Sequence, residues 1–287
     1  MLAVALGLGS SLCWGLADFF AGLQARRRAL LAVLLVSQGV ALVALVPFAL
    51  AAGDEGPPAA AAGWSALAGV AGILALAAFY RALAIGTMSV VAPISATAAA
   101  VPVLVGLAEG ERPGPLQVAG MIAAVAGVVL ASRESEPAER LEPGTAHRPA
   151  ARTGVGLALL AAVGFGTFFV AIDRASATAE VPWVIVISRS CSLALLLAAA
   201  LVARPSLPRE PAGLAALALV GVLDLGANGL YAVATTEGLL SVVAVLASLY
   251  PAITVVLARI VLAERVSRLQ EVGVVLTLGG VVAITAG

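Results

Sequence analysis

The chain alternates long apolar runs with short breaks made of charge, proline and glycine. The breaks include Arg26-Arg27-Arg28, Asp54-Glu55-Gly56-Pro57-Pro58, Glu109-Gly110-Glu111-Arg112-Pro113, all of 133–152, Asp173-Arg174, Arg204-Pro205, Thr236-Glu237-Gly238 and Glu264-Arg265. Between them lie ten runs, at 2–23, 30–51, 64–85, 87–108, 115–132, 153–174, 182–203, 211–235, 239–262 and 268–286. Each approaches the roughly 20 apolar residues with which a helix crosses a bilayer. The runs are continuous rather than alternating polar and apolar, which suits helices and not barrel strands. The pattern predicts an all-α integral membrane protein with ten transmembrane helices. No basic segment precedes the first run, so it is read as a retained span and not a cleaved signal peptide.

Charge gives these spans a direction. Of sixteen arginines, thirteen fall on the side of the loops after helices 1, 3, 5, 7 and 9, while Arg112 and Arg174 fall opposite and Arg189 lies within helix 7. The excess of basic residues in cytoplasmic loops predicts that these odd loops, with the 133–152 connector, are cytoplasmic and that both termini are extracytoplasmic.

Composition agrees and removes whole classes of function. The 287 residues are 62% hydrophobic and 11% charged, with a mean hydropathy of +1.10; soluble domains carry about 25% charge. Formal net charge is zero, which argues against nucleic acid as a partner. Cys13 and Cys191 lie in apolar runs, the one histidine is His147 in the connector, and there is no lysine. Disulfide frameworks, zinc sites, serine and cysteine triads and lysine-bearing phosphate loops therefore lack their parts. No metal and no cofactor is expected, nor an enzyme.

The two halves resemble each other. Gly86, Ser89 and Ala92 recur as Gly238, Ser241 and Ala244; Glu111, Arg112, Leu116, Gln117 and Gly120 recur as Glu264, Arg265, Leu269, Gln270 and Gly273; Gly127 recurs as Gly280. Near the start of each half, Gly15 and Asp18-Phe19-Phe20 are set opposite Gly164 and Thr167-Phe168-Phe169. Five helices per copy is an odd number, so the second copy enters the membrane inverted, a plan recurrent in secondary transporters, with the substrate held near the midplane. The reading divides the chain into a first repeat at 1–132, a charged linker at 133–152 and a second repeat at 153–287.

The run from Phe79-Tyr80-Arg81-Ala82-Leu83 through Ser89 to Pro93, then Gly110-Glu111-Arg112, Leu116-Gln117, Gly120 and Gly127, resembles the EamA repeat of the drug/metabolite transporter superfamily. Pro251, Ala263-Glu264-Arg265, Leu269-Gln270, Gly273 and Gly280 carry the same pattern again. The resemblance implies a secondary transporter of a bacterial cytoplasmic membrane, a monomer or homodimer, exporting a small metabolite, amino acid or drug. It implies too that helix 1 supplies an acidic or aromatic residue to substrate. The chain departs from the family where Gln38 stands opposite Arg189, so only one copy supplies that arginine.

Ionisable groups inside spans cost about 2.5–3.5 kcal/mol or more and are functional candidates by default. Asp224 lies roughly 18 Å into helix 8, with Asn228, Tyr231 and Thr235 on the same face. This stripe is read either as facing a cavity, with Asp224 taking a proton or a cationic group, or as a buried hydrogen-bond cluster. Asp18 shares a face of helix 1 with Trp14 and Ser11; its alternatives are substrate or proton binding and an ion pair with Arg26, Arg27 or Arg28. Arg189 either snorkels outward or points inward to Asp224 or a substrate carboxylate. Tyr250 joins these as a substrate contact, and Pro93, Pro102 and Pro251 are hinge candidates in helices 4 and 9. Helices 5 and 10 have almost no internal polar residue and read as scaffold or lipid-facing. The site residues expected are thus Trp14, Asp18, Arg189, Asp224, Asn228, Tyr231 and Tyr250, with Asp18 and Asp224 as carriers of protons. The rival readings are an uncoupled facilitator, an intramembrane enzyme built on paired aspartates, and a structural membrane protein.

Overall fold

A computed structural model describes residues 1–25, 28–51, 56–85, 95, 97–131, 148–250, 252–253, 257 and 268–286. Pro93, Pro251, His147 and most of the connector lie outside these residues. Regular structure among the described residues is entirely helical. We number the helices α1 (Leu2–Ala25), α2 (Leu30–Ala51), α3 (Ala59–Ile85), α4 (Ala100–Ala108), α5 (Pro115–Ala131), α6 (Arg148–Ser176), α7 (Val181–Ala203), α8 (Pro211–Glu237), α9 (Leu240–Ala247) and α10 (Arg268–Ala286). Six of these, α1 to α3 and α6 to α8, hold segments long and apolar enough to cross a membrane, and shorter apolar helices accompany them.

Two helices start earlier than the hydropathy pattern predicts. α3 begins at Ala59, where an alanine run follows Pro58 and Ala62 donates to the Pro58 carbonyl at 2.9 Å; alanine is the best helix former. α6 begins at Arg148, with Pro149 in a first turn that tolerates it. Helix 4 also differs from the uninterrupted run predicted at 87–108. A 3₁₀ turn at Thr97–Ala99 precedes α4, and Pro102 falls in the first turn of α4, where its missing N–H is not needed. In the second half α9 ends at Ala247, and Ser248 and Leu249 turn through short-range bonds, Leu249 to the Leu246 carbonyl at 3.3 Å. Both interruptions fall beside the cavity described below.

The halves interlace. α1 packs against α8 and α9, α3 against α6 and α7, α2 against α7 and α8, and α5 against α10. The contacts recur in exchanged pairs. A Cβ at Gly15 would stand 2.6 Å from the Cβ of Ile253, and one at Gly166 would stand 2.5 Å from the Cβ of Val101. A Cβ at Gly127 would meet the Gly273 carbonyl at 2.6 Å, and one at Gly280 the Gly120 carbonyl at 2.6 Å. These equivalences correct the register read from the sequence at the start of the halves. Gly15 corresponds to Gly166 rather than Gly164, which sets Trp14 against Phe165 and Asp18 against Phe169 rather than Thr167.

The α5–α10 pair turns Leu116, Ile122, Val272, Val275, Leu278 and Val282 outward, a surface suited to lipid.

At the end opposite the odd loops, the α4–α5 turn ties the halves together. α4 closes in a two-bond cap: Glu111 N–H donates to the Gly106 carbonyl at 2.9 Å and Gly110 N–H to the Leu107 carbonyl at 3.2 Å. Gly110 takes φ +97°, where glycine alone sits without strain. The turn folds the Glu111 side chain back over Gly106, whose Cβ would be 2.3 Å from Oε2. From there the carboxylate accepts the N–H groups of Leu240 at 2.6 Å and Ser241 at 3.1 Å. No side chain of α9 caps its own start, so Glu111 fills the role across the halves, at the positive end of the helix dipole. Arg174 also bonds Glu109, which holds that carboxyl below its usual range. Glu111→Ala is expected to lower unfolding stability in detergent by about 1–2 kcal/mol. Gly106→Val, which evicts the same carboxylate, should add little to it in the double variant; full additivity of the two melting shifts would refute the cap.

Candidate functional site

A cavity whose empty volume, mouth included, is about 1060 Å³ lies between the halves. Residues of α1, α2, α3, α6, α7 and α8 line it, with Ser95, Ala98, Ser248 and Tyr250 from the two interrupted segments. Its walls extend toward the odd-loop ends of the helices, through Ala21, Val33, Leu34, Leu76 and Phe79. At the other end an aromatic floor closes it. The Trp14 ring centroid lies 5.7 Å from Phe169, 6.2 Å from Phe168 and 6.3 Å from Tyr250, and Phe169 lies 4.9 Å from Tyr231.

Asp224 stands at the centre of α8 and gathers four side chains from four helices. Its Oδ1 accepts Trp14 Nε1–H at 3.1 Å and Asn228 Nδ2–H at 3.2 Å. Its Oδ2 accepts Gln38 Nε2–H at 3.2 Å and pairs with an Arg189 guanidinium nitrogen at 2.7 Å. Arg189 also donates to Gln38 Oε1. Three hydrogen bonds and one ion pair thus bind the two oxygens of this carboxylate, whose side chain remains partly exposed. The inward reading of Arg189 is thus the observed one, and the cationic group beside Asp224 is this arginine. Removing the charge from either member leaves the other, Arg189 buried or Asp224 partly buried, without its partner, which is costly, so the two hold α7 and α8 in register at mid-height.

Trp14, Asp18, Arg189, Asp224, Asn228 and Tyr250 all line the cavity. Tyr231 does not belong to that lining. It is fully buried and donates to the Phe169 carbonyl at 3.1 Å, and Thr235 donates to the Ala232 carbonyl at 2.9 Å. The polar face of α8 therefore divides: Asp224 and Asn228 meet the cavity, while Tyr231 and Thr235 enter the core beneath its floor. Arg28, one of the alternatives for Asp18, is engaged by Glu210 at 2.5 Å and Gln24 at 3.0 Å; Arg26 and Arg27 lie outside the described residues. Reading the sequence gave no site role to Gln38, Ser37, Ser188, Ser192 or the three phenylalanines of α6, Phe165, Phe168 and Phe169, all on the wall. Gln38 alone carried a signal, as the polar residue of helix 2 opposite Arg189.

Neither cysteine is in a disulfide, and no group of three metal-ligating side chains occurs among the described residues.

One solved crystal structure aligns with 99% of this chain and 96% of its own length, at 18% identity and a TM-score of 0.78. At that identity the likeness is one of fold. No curated protein matches. The EamA-like transporter family matches residues 1–133 and 152–286, so nearly the whole chain lies in two copies of one unit. With apolar helices around a largely apolar cavity that carries polar groups at mid-height, the protein is a multi-pass membrane protein and belongs to the EamA-like transporter family.

Proposed function

We propose that the protein is a secondary-active transporter that exports a small organic metabolite, amino acid or drug by alternating access. Ten spans in two inverted five-helix repeats, 1–132 and 153–287, enclose the path, and the 133–152 linker joins them in the cytoplasm. The observation that carries the reading is the cavity itself, polar at mid-height and bounded by both halves. In this arrangement its walls run toward the odd-loop side, while the aromatic floor and the Glu111 cap close the opposite side. With the odd loops cytoplasmic, this is the state that loads substrate from inside. Opening outward requires the floor and the cap to part while the Asp224 cluster keeps the middle together. No lysine is available for a nucleotide loop, so a proton gradient is the proposed energy source, with Asp18 or Asp224 as the carboxylate that exchanges the proton.

The protein in proteoliposomes, given a panel of amino acids, amines and organic acids, is expected to move at least one compound faster than empty liposomes do. An internal pH dye should report proton movement in step. At least one of Asp18→Asn and Asp224→Asn should lower proton-driven movement tenfold or more while the variant still folds, as for removal of a group worth about 1.4 kcal/mol or more. Intact transport in both variants would leave an uncoupled facilitator; no movement of any compound would count against transport altogether.

A further inference from the structure

We infer that α3 and α6 form the specificity pocket of the cavity, which takes the hydrocarbon body of the substrate, a single aromatic ring or a branched chain of that bulk, with Leu76 setting its size. The inference rests on the transport reading of the cavity and names the part of the substrate that the cavity selects.

The two repeats furnish the cavity unequally. α1 packs against α8 and α6 against α3, and the equivalence of Gly15 with Gly166 makes these the same pair of helices in the two copies. Gly69 and Gly221 make equivalent close approaches to Ser188 and Ser37, so Gly72 of α3 corresponds to Asp224 of α8, as Phe165 corresponds to Trp14. On the α1–α8 side Trp14 donates to Asp224, which Gln38, Asn228 and Arg189 also engage. On the α3–α6 side the same two places hold a ring with no donor and a residue with no side chain. Among the described residues that line the cavity, α3 and α6 contribute no polar side chain.

What stands there instead is a partly exposed apolar surface. Gly72, Leu76, Phe79 and Phe165 are neither fully buried nor fully exposed, and all four line the cavity. Phe79 and Phe165 meet edge to face with their centroids 6.2 Å apart. The Phe168 ring lies beside the bare backbone of Gly72, 3.1 Å from where a Cβ would stand, and Ile73 and Leu76 continue the surface to Leu34 of α2. Hydrocarbon that covers such a surface releases water from it, worth about fourfold in affinity for each methylene buried. A further ring can also pack against the edges and faces of the existing pair. The polar groups at mid-height engage one another, so they orient a ligand while the apolar wall supplies the larger gain, the usual division in a small-molecule site.

The test uses three pairs of probes, each pair sharing a head group and differing by one phenyl ring: alanine and phenylalanine, ethylamine and 2-phenylethylamine, propanoate and 3-phenylpropanoate. They are titrated calorimetrically against the protein in lipid nanodiscs, with empty nanodiscs subtracted. Whichever head group binds, its ring-bearing member should bind about tenfold or more tightly than its methyl partner. Leu76→Trp, which fills the pocket, should lower the affinity of the ring-bearing member about tenfold, to that of its partner. Leu76→Ala, which enlarges the pocket and keeps it apolar, should raise the 2-naphthyl analogue of the same head group above the phenyl one. No ring preference with any of the three head groups, or one that both Leu76 variants leave unchanged, overturns the inference. Proteoliposomes separate it from the transport reading: movement of the methyl members in preference to the ring-bearing ones overturns the pocket alone. Ring-selective binding without movement of any probe upholds the pocket and removes transport.

Discussion

Arg189→Met is expected to destabilise the protein by about 3 kcal/mol, the lower end of the range for a buried pair stripped of one partner, since the Asp224 left behind is only partly buried. Methionine fills much of the arginine's volume, so the loss comes from the Asp224 carboxylate, left with Trp14, Gln38 and Asn228 as neutral donors. Removing both charges should be milder, because Asp224→Asn in the Arg189→Met background leaves no buried ion. The interlaced halves allow a sharper experiment. Gln38 and Arg189 hold equivalent positions in α2 and α7, and both reach Asp224 Oδ2. Arg189→Gln alone should lose most of the stability, and Gln38→Arg added to it should restore most of the loss, since the guanidinium returns to the same oxygen from the facing helix. Thermal unfolding in one detergent checks all four proteins. A double variant no more stable than Arg189→Gln would mean that the pair depends on α7 itself and not on the symmetry of the site.

The parts legible in the sequence were those where a cost forces a residue type. Charges within lipid-spanning runs are expensive, so Asp18, Arg189 and Asp224 stood out, and all three line the cavity. Their pairing could not be read, because facing an oppositely charged helix and snorkelling outward satisfy the same one-dimensional pattern. Gln38 went unassigned since a neutral amide costs far less to bury than a charge, although its distance from Asp224 matches that of the other donors. Tyr231 lies off the cavity wall for another reason. It shares a helical face with Asp224, but α6 covers the lower part of that face, so one stripe runs from cavity to core along its length. Span limits shifted where alanine and proline let a helix run into the loop, as at Ala59 and Arg148. The repeat register slipped by two residues because phenylalanines substitute for one another in an apolar run. The glycines fix it, because a backbone contact admits no such exchange.

Those contacts make the second large prediction. Gly69→Ala is expected to unfold far more easily than Gly63→Ala, although both lie in α3. A Cβ at Gly63 meets nothing within 4 Å, whereas one at Gly69 would stand 2.1 Å from the Ser188 carbonyl oxygen and 2.9 Å from its carbon. Backbone cannot rotate aside as a side chain does, so α3 and α7 must part by about 1 Å or more to restore ordinary contact. Overpacking of this kind costs about 1–3 kcal/mol and at times more, while alanine at a free helical site gains about 0.5–1 kcal/mol over glycine. The partner crossing should behave alike: a Cβ at Gly221 would lie 2.3 Å from the Ser37 carbonyl oxygen, where α8 meets α2. Ser188 precedes Arg189 and Ser37 precedes Gln38, and Ser192 donates to the Gly69 carbonyl at 2.8 Å. The two crossings therefore set the turns that carry the side chains around Asp224, and alanine at either glycine should weaken transport as well as folding. Equal melting temperatures for Gly63→Ala and Gly69→Ala would show that α3 and α7 do not make this approach.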